Sequence, residues 1–587
     1  YMSKWMLMNK KADFKTLGAA LGVDQVVVRL MVNRGLTTLE EMKEYLHPTL
    51  DSFFDPHLLK DMDKACELIM DAIDEEKNIR VVGDYDVDGI MSTFILSDCI
   101  KKAGGNVDYV VPHRIEDGYG INPEMVQSAY DDGIDFIITC DNGIAAREAC
   151  ELAKKLGMTY VVTDHHEIPF ENTDDGKKYL LPAADAIVDP KLEDCMSPFK
   201  EICGAQVAFK FAYVLFEMLG FEESDYLYYL QFAAMACVCD VMPLVGENRA
   251  LVYHGLKAIQ SSTNKGIHAL LARNSLLENK LSCYHLGFVL GPCFNATGRL
   301  DTAMSALEFL NEEDEAKALF KAQELVEINS QRKNMTQTGL EHALDIIEKE
   351  NMSEDKVLVI YIPDLHESLA GIVAGRIKEQ FFRPTLVFTD AAVGAKGSGR
   401  SIEAYNMFEE LTKVKDLFTK FGGHPMAAGV SLPTENIALL RQRLNENCTL
   451  TASDMEEVVR IDMAMPLSYI SQPLVESLEL LEPFGNKNTK PVFALKDIEI
   501  IAAAHMGGDN QFLRLTLLME NNRTMTGLVF RKADEFLELV ERKYSKSVME
   551  GLFSKNAGGV KMDIIYQPSL NTYRGNTSVQ IIIDQFK

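Results

Sequence analysis

Short apolar runs alternate with helical stretches between residues 78 and 190. The runs are apolar throughout rather than at every second position, which is typical of strands buried on both faces of a sheet. Helical stretches separate them, such as residues 89–105, where apolar residues recur at helical spacing and glycines follow. The pattern therefore predicts a parallel sheet covered by helices. The predicted strands are "IRVVGD" at 79–84, "VDYVVP" at 107–112, "DFIITCD" at 135–141, "TYVVTD" at 159–164 and "DAIVDP" at 185–190.

The rest of the chain shows other patterns. Residues 203–305 are predicted to be mostly helical, and residues 311–350 to form one long polar helix with Asn311 as its N-cap. A second alternation of strands and helices begins at "KVLVIYIP" (356–363) and includes the strand "RPTLVFTD" (383–390). The C-terminal residues carry strand-like runs between turn residues, which predict a small β-barrel with one or two inserted helices.

The amino-acid composition indicates the class of protein and the cellular compartment that we expect for it. The chain has 587 residues, of which 47% are hydrophobic and 25% charged, as in an ordinary multidomain globular protein. No signal peptide or membrane span is expected from the apolar runs. The eleven cysteines form no C-x-x-C pair, so we expect reduced thiols in a cytoplasmic protein and neither a disulfide framework nor a zinc site.

The net charge of −28 narrows the range of partners. Phosphate binding depends on Lys and Arg, so this charge argues against a protein that coats nucleic acid. It leaves room for an enzyme that holds a few nucleotides in one locally basic groove. A weaker hypothesis is that an acidic outer surface docks a basic partner.

Acidic residues and histidines follow the predicted strands at the points where the strands end. In an open parallel sheet the carboxyl ends of the strands meet along one edge, and ligands bind in the crevice there. A single aspartate at such a point commonly caps a helix or a turn, but acids at four strand ends together with a His-His pair exceed what capping explains. The residues are Asp84, Asp86, Asp88, Asp141, Asp164, His165, His166, Glu167 and Asp189, and Asp240 follows an apolar helix later in the chain.

Crowded carboxylates repel one another unless cations lie between them. Carboxylates are ligands for Mg²⁺ and Mn²⁺, and an added imidazole favours Mn²⁺. Two such ions about 4 Å apart are the usual apparatus for hydrolysing a phosphate ester. The sequence therefore predicts a two-metal phosphoesterase, with Mn²⁺ preferred and Mg²⁺ as the alternative.

Four motifs, "DYDVDG", "CDNG", "TDHHE" and "CDVMPL", resemble those of the DHH phosphoesterases, and further stretches resemble the members that degrade single-stranded DNA. These stretches are "VPHRIEDGYGIN" (111–122), "GPCFNATGRLDTA" (291–303), "GSGRSI" (397–402), "FGGHPMAAGVSL" (421–432) and "LEPFGNKNTKPVF" (481–493). The resemblance implies an α/β multidomain fold: an N-terminal helical segment (1–60), a parallel-sheet DHH domain (61–305), a connecting helix (306–352), a DHH-associated α/β substrate-binding domain (353–455) and a C-terminal OB-like β-barrel for nucleic acid (456–587).

The resemblance also implies roles for individual residues. Asp141 is expected to bridge the two metal ions, Asp164 to orient a neighbour, and Asp189 to cap a turn. The implied metal ligands are Asp84, Asp86, Asp88, Asp141, His165 and Asp240. The implied catalytic residues are Asp86, Asp141, His165 and His166.

Contacts to DNA and phosphate are implied on the second α/β domain and on the "GPCFNATGR" motif. Glycines beside Ser398 and Arg400 leave backbone amides and a guanidinium free to meet a phosphate. Cys293 and the segment 486–491 depart from the usual family pattern, which bears on DNA affinity rather than on the chemistry. The implied contact residues are Arg114, Asn295, Arg299, Ser398, Arg400 and His424, with Phe512, Tyr566 and Tyr573 as candidates for base stacking in the barrel.

The activity that the resemblance implies is a metal-dependent exonuclease acting 5′ to 3′ on single-stranded DNA and releasing mononucleotides in recombination and repair. It also implies a monomer that works beside a helicase and a single-strand-binding protein. One alternative is a phosphodiesterase for short oligonucleotides or cyclic dinucleotides, although such relatives usually lack the β-barrel. Another alternative is a catalytically inactive DHH protein that binds DNA as a scaffold, although every motif acid is present here.

Overall fold

The computed structural model describes residues 3–114, 117–173, 176–507, 512–530, 532–554, 560–573 and 575–587. The chain forms two compact units. The first unit contains residues 53–242 and 254–457, and the second contains the N-terminal residues up to 52 together with 243–253 and 458–587. In the part of the chain that the structure describes, no helix combines the length and apolarity needed to cross a bilayer.

The parallel sheet of the first unit has the strand order β3-β2-β4-β5-β8, with every pairing parallel. The five predicted strands are confirmed, whereas the exposed hairpin β6–β7 has no counterpart in the prediction. From β2 the chain passes to β3 on one side and later to β4 on the other, so the order reverses between β2 and β4, where such sheets bind ligands. From the N-terminus through this sheet, the elements are β1 (Lys4–Leu7), α1 (Phe14–Leu21), α2 (Gln25–Asn33), α3 (Leu39–Leu46), α4 (Met62–Asp74), β2 (Asn78–Val82), α5 (Val87–Lys102), β3 (Asn106–Val110), α6 (Pro123–Asp131), β4 (Phe136–Cys140), α7 (Arg147–Lys155), β5 (Thr159–Thr163), β6 (Phe170–Thr173), β7 (Gly176–Tyr179) and β8 (Ala186–Val188).

The next region is helical, as predicted. Helices α5, α8 and α10 are buried on nearly all sides, which explains why their sequences are apolar around the whole circumference. A short π-helical segment, Leu286–Leu290, leads into α14. The helices are α8 (Gly204–Leu219), α9 (Glu223–Leu227), α10 (Leu230–Cys239), α11 (Gly246–Gln260), α12 (Lys265–Arg273), the single turn α13 (Cys283–His285), α14 (Gly291–Leu300) and α15 (Ala303–Leu310).

The long helix α16 (Glu315–Lys349) is present, but its predicted N-cap is wrong. Asp314 caps it, because its side chain accepts the backbone N–H of Lys317 at 2.9 Å. Asn311 instead ends α15, and its side-chain amide donates to the Leu307 carbonyl. A polar run between two helices offers several capping residues, and the end of the preceding helix decides which of them is used.

The second α/β domain has a five-stranded sheet of order β12-β13-β11-β10-β9. Only β9 and β10 pair in parallel, and the other pairings are antiparallel. Strand β11 carries Ser398 and Arg400, and β12 ends at His424. The elements are β9 (Leu358–Tyr361), α17 (Ala370–Phe381), β10 (Thr385–Asp390), β11 (Ala395–Arg400), α18 (Met407–Thr412), β12 (Lys420–His424), β13 (Ala427–Leu432) and α19 (Ile437–Asn447).

The second unit is built around a closed β-barrel. Its strands run in the order β15-β16-β17-β18-β20-β19, and β19 also pairs with β16, which closes the ring. The N-terminal strand β1 pairs with β14, and α2 packs into the same apolar core as the barrel. The elements are β14 (Val458–Ile461), β15 (Met463–Ala464), α20 (Gln472–Leu478), β16 (Phe493–Met506), β17 (Phe512–Leu518), β18 (Thr524–Phe530), α21 (Ala533–Lys543), α22 (Lys546–Phe553), β19 (Val560–Tyr573) and β20 (Asn576–Phe586).

Asn488, inside the unusual segment 486–491, has a structural role in this unit. It is 1% exposed, and its amide donates to the carbonyls of Leu481 and Pro483 at 2.9 and 2.8 Å. Its carbonyl oxygen accepts the Tyr45 hydroxyl at 2.7 Å and the Arg34 guanidinium at 2.9 Å. The segment therefore joins the N-terminal helices to the entry of the barrel.

Candidate active site

The loop after β2 places three aspartates at the start of α5. Asp86 is the N-cap, and its carboxylate accepts the backbone N–H of Gly89 at 3.1 Å. Asp88 lies in the first turn, and its two oxygens accept the backbone N–H groups of Gly204 and Ala205, each at 2.7 Å. These N–H groups belong to the first turn of α8, so the negative charge of Asp88 lies at the positive end of that helix.

His165 joins the acids that follow different strands. Its Nε2 atom lies 3.0 Å from Asp141 Oδ1, 3.4 Å from Asp88 Oδ2 and 3.9 Å from Asp240 Oδ2. Asp141 follows β4 and has a φ of 59°, a left-handed conformation that aspartate adopts more readily than most residues. The ends of β2, β4 and β5 and the end of α10 therefore meet at one point beside the switch in strand order.

Without a cation, repulsion between the buried carboxylates of this cluster is unfavourable. Burial and the neighbouring carboxylates raise the pKa values of Asp84 and Asp141 well above the ordinary range, and they raise the pKa of Asp240 to about 8. Asp84 is 1% exposed, and its Oδ1 atom has no hydrogen-bond partner. An orphaned carboxylate oxygen inside a group of buried acids fits a bound cation.

The donor atoms are grouped closely enough to hold divalent cations. Within each of three sets the ligand atoms lie within 4.8 Å of one another. One set has carboxylate oxygens alone and the other two add one or two imidazole nitrogens, and these donors match the preferences of Mn²⁺ and Mg²⁺. The three sets are Asp84 with Asp86 and Asp141, Asp88 with His165 and Asp240, and Asp141 with His165 and His166.

His166 lies at the edge of the cluster and is held by Asp164. Its Nδ1 atom is 2.7 Å from Asp164 Oδ1, and although burial alone lowers the pKa of His166, this carboxylate raises it to about 9. Asp164 also accepts the backbone N–H groups of Ile144 and His165 at 3.0 and 2.8 Å. Burial raises the pKa of Asp164, but His166 lowers it further, so the net shift is downward.

Asp189 follows β8 and caps a turn, since its Oδ1 accepts the backbone N–H of Lys191 at 2.8 Å. Its other oxygen is buried without a partner, and burial together with the charge of Asp164 raises its pKa to about 8.

The structure brings three predicted arginines close to one another. Arg299 donates to the Ser368 carbonyl at 2.7 Å, and burial followed by the charge of Arg114 lowers its pKa to about 10. The pKa of Arg400 is lowered by burial and by Arg114 in the same way. Arg114 itself lies over the Tyr85 ring, 4.7 Å from its centroid. Arg114 and Arg299 therefore lie beside the loop that carries the first acids.

The other residues predicted to contact DNA lie in different parts of the structure, and some are exposed while others are buried. Ser398 lies beside Arg400, because both side chains approach Gly371 at the start of α17. His424 is exposed at the end of β12, and its Nδ1 accepts the backbone N–H of Met426 at 3.3 Å. Of the stacking candidates, Tyr566 is buried in the barrel core and Tyr573 is 65% exposed.

A basic cavity of about 440 Å³ lies between α14, α16 and α17, and most of its residues were not predicted. Asn295 and Arg299 line it, as does the exposed Phe288. The exposed Tyr284 ring stacks on Phe288, with 5.3 Å between centroids and 22° between planes. The basic residues in "SQRKNM" of α16 were the sequence feature that could have indicated this cavity. Basic residues are also common on the solvated face of an ordinary helix, so they did not predict it. The unpredicted cations are Arg332, Lys333 and Arg376.

Cys293, where the family pattern favours arginine, is buried beside this cavity. The Asn329 amide lies 3.5 Å from its sulfur, and Asn329 accepts the Arg332 guanidinium at 2.7 Å.

Gly204 allows the closest approach of α8 to the cluster. A methyl group added to Gly204 would lie 2.7 Å from Asp141 Cβ, which is closer than such atoms come in proteins. We expect Gly204→Ala to shift Asp141 and to lower phosphodiesterase turnover by about tenfold or more, since misplacement of a reacting group by about 1 Å can cost about 100-fold. The matched control is Gly375→Ala in α17, where an added methyl group meets no atom within 4 Å. Equal activity of the two variants would contradict this packing argument.

Three domain families match the chain: the DHH family N-terminal domain over residues 78–237, the DHHA1 domain over 354–449 and the RecJ OB domain over 461–585. The single-stranded-DNA-specific exonuclease RecJ of Escherichia coli (strain K12) is 33% identical over 584 residues, covering 95% of this chain and 94% of that protein. The protein of the same name from Bacillus subtilis (strain 168) is 32% identical over 585 residues, covering 99% of this chain and 70% of that protein.

Solved structures agree with this match. The crystal structure of RecJ from Thermus thermophilus in complex with Mn²⁺ has a TM-score of 0.81 and 25% identity, covering 100% of this chain and 79% of that chain. The complex of the same protein with Mg²⁺ has a TM-score of 0.76 and 24% identity, covering 100% of this chain and 78% of that chain.

The parallel sheet, the acids and histidines at its edge and the second α/β domain together define a DHH phosphoesterase. With the OB domain and matches along nearly the whole chain, the chain belongs to the RecJ family. The predicted fold class and the predicted family are thereby confirmed.

Proposed function

We propose that the protein is a single-stranded-DNA-specific exonuclease that uses two divalent cations, acts from the 5′ end and releases mononucleotides. The observation that carries this proposal is the cluster of buried carboxylates around His165 at the switch in strand order. The names of the E. coli and B. subtilis relatives support the substrate. The 5′ to 3′ direction rests on family resemblance.

The ligands proposed for the cations are the six residues predicted from the motifs: Asp84, Asp86, Asp88, Asp141, His165 and Asp240. Asp141 and His165 each belong to two of the three donor sets, and of these two Asp141 is proposed as the bridging ligand because a carboxylate has two oxygens to share. When bound, the cations supply Lewis-acid chemistry that lowers the pKa of the attacking water and neutralises charge on the phosphoryl group. We propose Mn²⁺ as the preferred ion because an imidazole is among the donors.

The chain's own residues have further proposed roles. His166, protonated at neutral pH by its contact with Asp164, presents an N–H to a phosphate oxygen at the edge of the cluster. Arg114, Ser398, Arg400 and His424 are proposed to contact the DNA or its phosphates. Asn295 and Arg299 are proposed to contact the phosphate beside the cut.

The basic cavity supports binding of a single strand. Its described lining contains four cations (Arg299, Arg332, Lys333 and Arg376) and no carboxylate, in a chain of net charge −28. The exposed Phe288 ring lines the same cavity, and the exposed Tyr284 ring stacks on it. Cations for phosphates and aromatic faces for bases are the combination that binds single strands without sequence preference.

The decisive experiment for the function is digestion of a single strand labelled at either end, with Mn²⁺. The proposal expects stepwise loss from the 5′ end and mononucleotide products. If long strands stay intact and a dinucleotide is hydrolysed, the protein is a phosphodiesterase for small substrates. Metal-independent binding without cleavage would instead support an inactive scaffold.

The role of the cavity is tested by Lys333→Ala combined with Arg376→Ala. We expect weaker binding of a 20-nucleotide strand in EDTA, by about tenfold, and a shallower dependence of affinity on salt because fewer counterions are released. Fluorescence anisotropy at several salt concentrations measures both. The control is Lys349→Ala, which removes one charge from the far end of the same helix. Wild-type affinity and salt dependence in the double variant would exclude the cavity from the binding path.

The domain boundaries, the monomeric state, the cytoplasmic location and the partnership with a helicase and a single-strand-binding protein stay predictions that rest on the sequence and the family.

A further inference from the structure

We propose that Tyr119 is a positioning residue of the hydrolysis, and that its hydroxyl fixes the His166 imidazole against the Asp141 backbone. This inference rests on the proposed function, because His166 is there proposed to meet the phosphate. Neither the metal ligands nor the predicted phosphate contacts include Tyr119.

The contacts of the Tyr119 hydroxyl define this role. It donates to the backbone carbonyl of Asp141 at 3.0 Å and lies 3.1 Å from His166 Nε2 and 3.3 Å from His166 Nδ1. The Tyr119 and His166 rings also meet edge to face, with 5.6 Å between centroids and 73° between planes. One side chain therefore contacts the residue proposed to bridge the cations and the histidine proposed to meet the phosphate.

The hydrogen bonds form a continuous chain across the site. Asp164 Oδ1 holds His166 Nδ1 at 2.7 Å, and the Tyr119 oxygen lies against the same imidazole, 3.1 Å from Nε2 and 3.3 Å from Nδ1. The Asp141 carbonyl anchors the tyrosine hydroxyl. Because the His166 side chain is 43% exposed, surrounding atoms pack it only in part, and the contacts with Asp164 and Tyr119 set the orientation of its ring.

The segment that carries Tyr119 is itself attached to the sheet. The backbone N–H of Ile121 donates to the Asn142 side chain at 3.1 Å, and the Asn142 amide donates to the carbonyls of Val82 and Cys140 at 3.1 and 2.9 Å. Asn142 thus ties this segment to the ends of β2 and β4. Tyr119 is held by the same strand ends that present the metal ligands, which is the arrangement a positioning residue requires.

The test compares Tyr119→Phe, His166→Ala and the double variant in Mn²⁺-dependent digestion of a single strand. We expect Tyr119→Phe to lower kcat by about 10- to 100-fold, because a small displacement of a group that meets the reacting phosphate is costly, while KM stays within about twofold. If Tyr119 acts through His166, the double variant has the kcat of His166→Ala alone, within about twofold. Melting temperatures check the fold, and Tyr130→Phe, at an exposed tyrosine of α6, is the matched control.

Two results would overturn the inference. One is wild-type kcat in Tyr119→Phe. The other is a double variant whose loss equals the product of the two single losses, since independent effects multiply. A wild-type protein that leaves long single strands intact would overturn the proposed function alone, and the same cycle measured on a dinucleotide would then test Tyr119.

Discussion

Asp141→Asn is expected to abolish DNA cleavage and, in the absence of metal, to make the protein more stable. Asp141 is 3% exposed, contacts His165 and contributes to two of the three donor sets. Losing it removes the proposed bridging ligand, so we expect turnover to fall by about 1,000-fold or more, as when other groups essential to a reacting centre are removed. The same substitution removes one negative charge from a buried group of acids, and repulsion within that group disfavours the folded state.

Two measurements test this pair of effects on one variant. Mn²⁺-dependent digestion of a labelled strand reports the loss of turnover, and thermal unfolding in EDTA at pH 8 reports the stability, which we expect to rise by about 1–3 kcal/mol. Asp345→Asn is the matched control, because Asp345 is 54% exposed and paired with Lys349; both quantities should stay at wild-type values. A variant that loses stability as well as activity would assign Asp141 a structural role.

The metal-free protein is expected to lose stability as the pH rises from about 5 to 9, and Mn²⁺ to restore most of it. In the unfolded chain the carboxyls lose their protons near their ordinary pKa of about 4. In the metal-free folded protein, burial and repulsion raise the pKa values of Asp240 and Asp189 to about 8 and move that of Asp141 in the same direction. Between these values the folded state binds more protons than the unfolded state, so the free energy of unfolding falls with increasing pH.

Melting temperatures at pH 5, 7 and 9, with EDTA or with Mn²⁺, measure this effect. We expect a difference between the two series that is small at pH 5 and grows to about 2 kcal/mol or more at pH 9, because bound cations stabilise the ionised acids. Asp141→Asn should reduce the pH dependence in EDTA. If the melting temperatures with EDTA and with Mn²⁺ change with pH in the same way, the acids of the cluster do not need a cation to offset their repulsion.

The acids at the strand ends were predictable because parallel strands bring their carboxyl ends to one edge whatever the intervening helices do. Asp84, Asp86, Asp88, Asp141 and His165 could therefore be assigned to one place from short motifs. His165 lies at the centre of the cluster because of the direction in which its side chain points. That direction cannot be predicted from the neighbouring residues in the sequence. The two backbone N–H groups that hold Asp88 come from α8, more than a hundred positions away.

The functional residues that the sequence does not reveal share a physical reason. Tyr119 acts through its hydroxyl from a loop, where no periodicity marks the direction of a side chain. Arg332 and Lys333 lie in a long helix whose polar pattern fits any solvated helix, and only its packing against α14 and α17 shows that they line a cavity. The Asn311 prediction failed because two adjacent helices compete for the same polar linker.

The second unit combines residues before 53 with residues after 457, and this has a consequence for synthesis. The α2 residue Asn33 donates to Asp462, which lies 429 positions later, and α2 packs into the core that the barrel strands complete. At translation rates of about 5–20 residues per second, the N-terminal helices wait roughly 20 to 90 s for their partners to emerge from the ribosome. During that interval their apolar faces are uncovered. The first unit, which ends at residue 457, has by then been synthesised, so of the two units the one with the barrel forms later, and chaperones can act on the nascent chain in the interval.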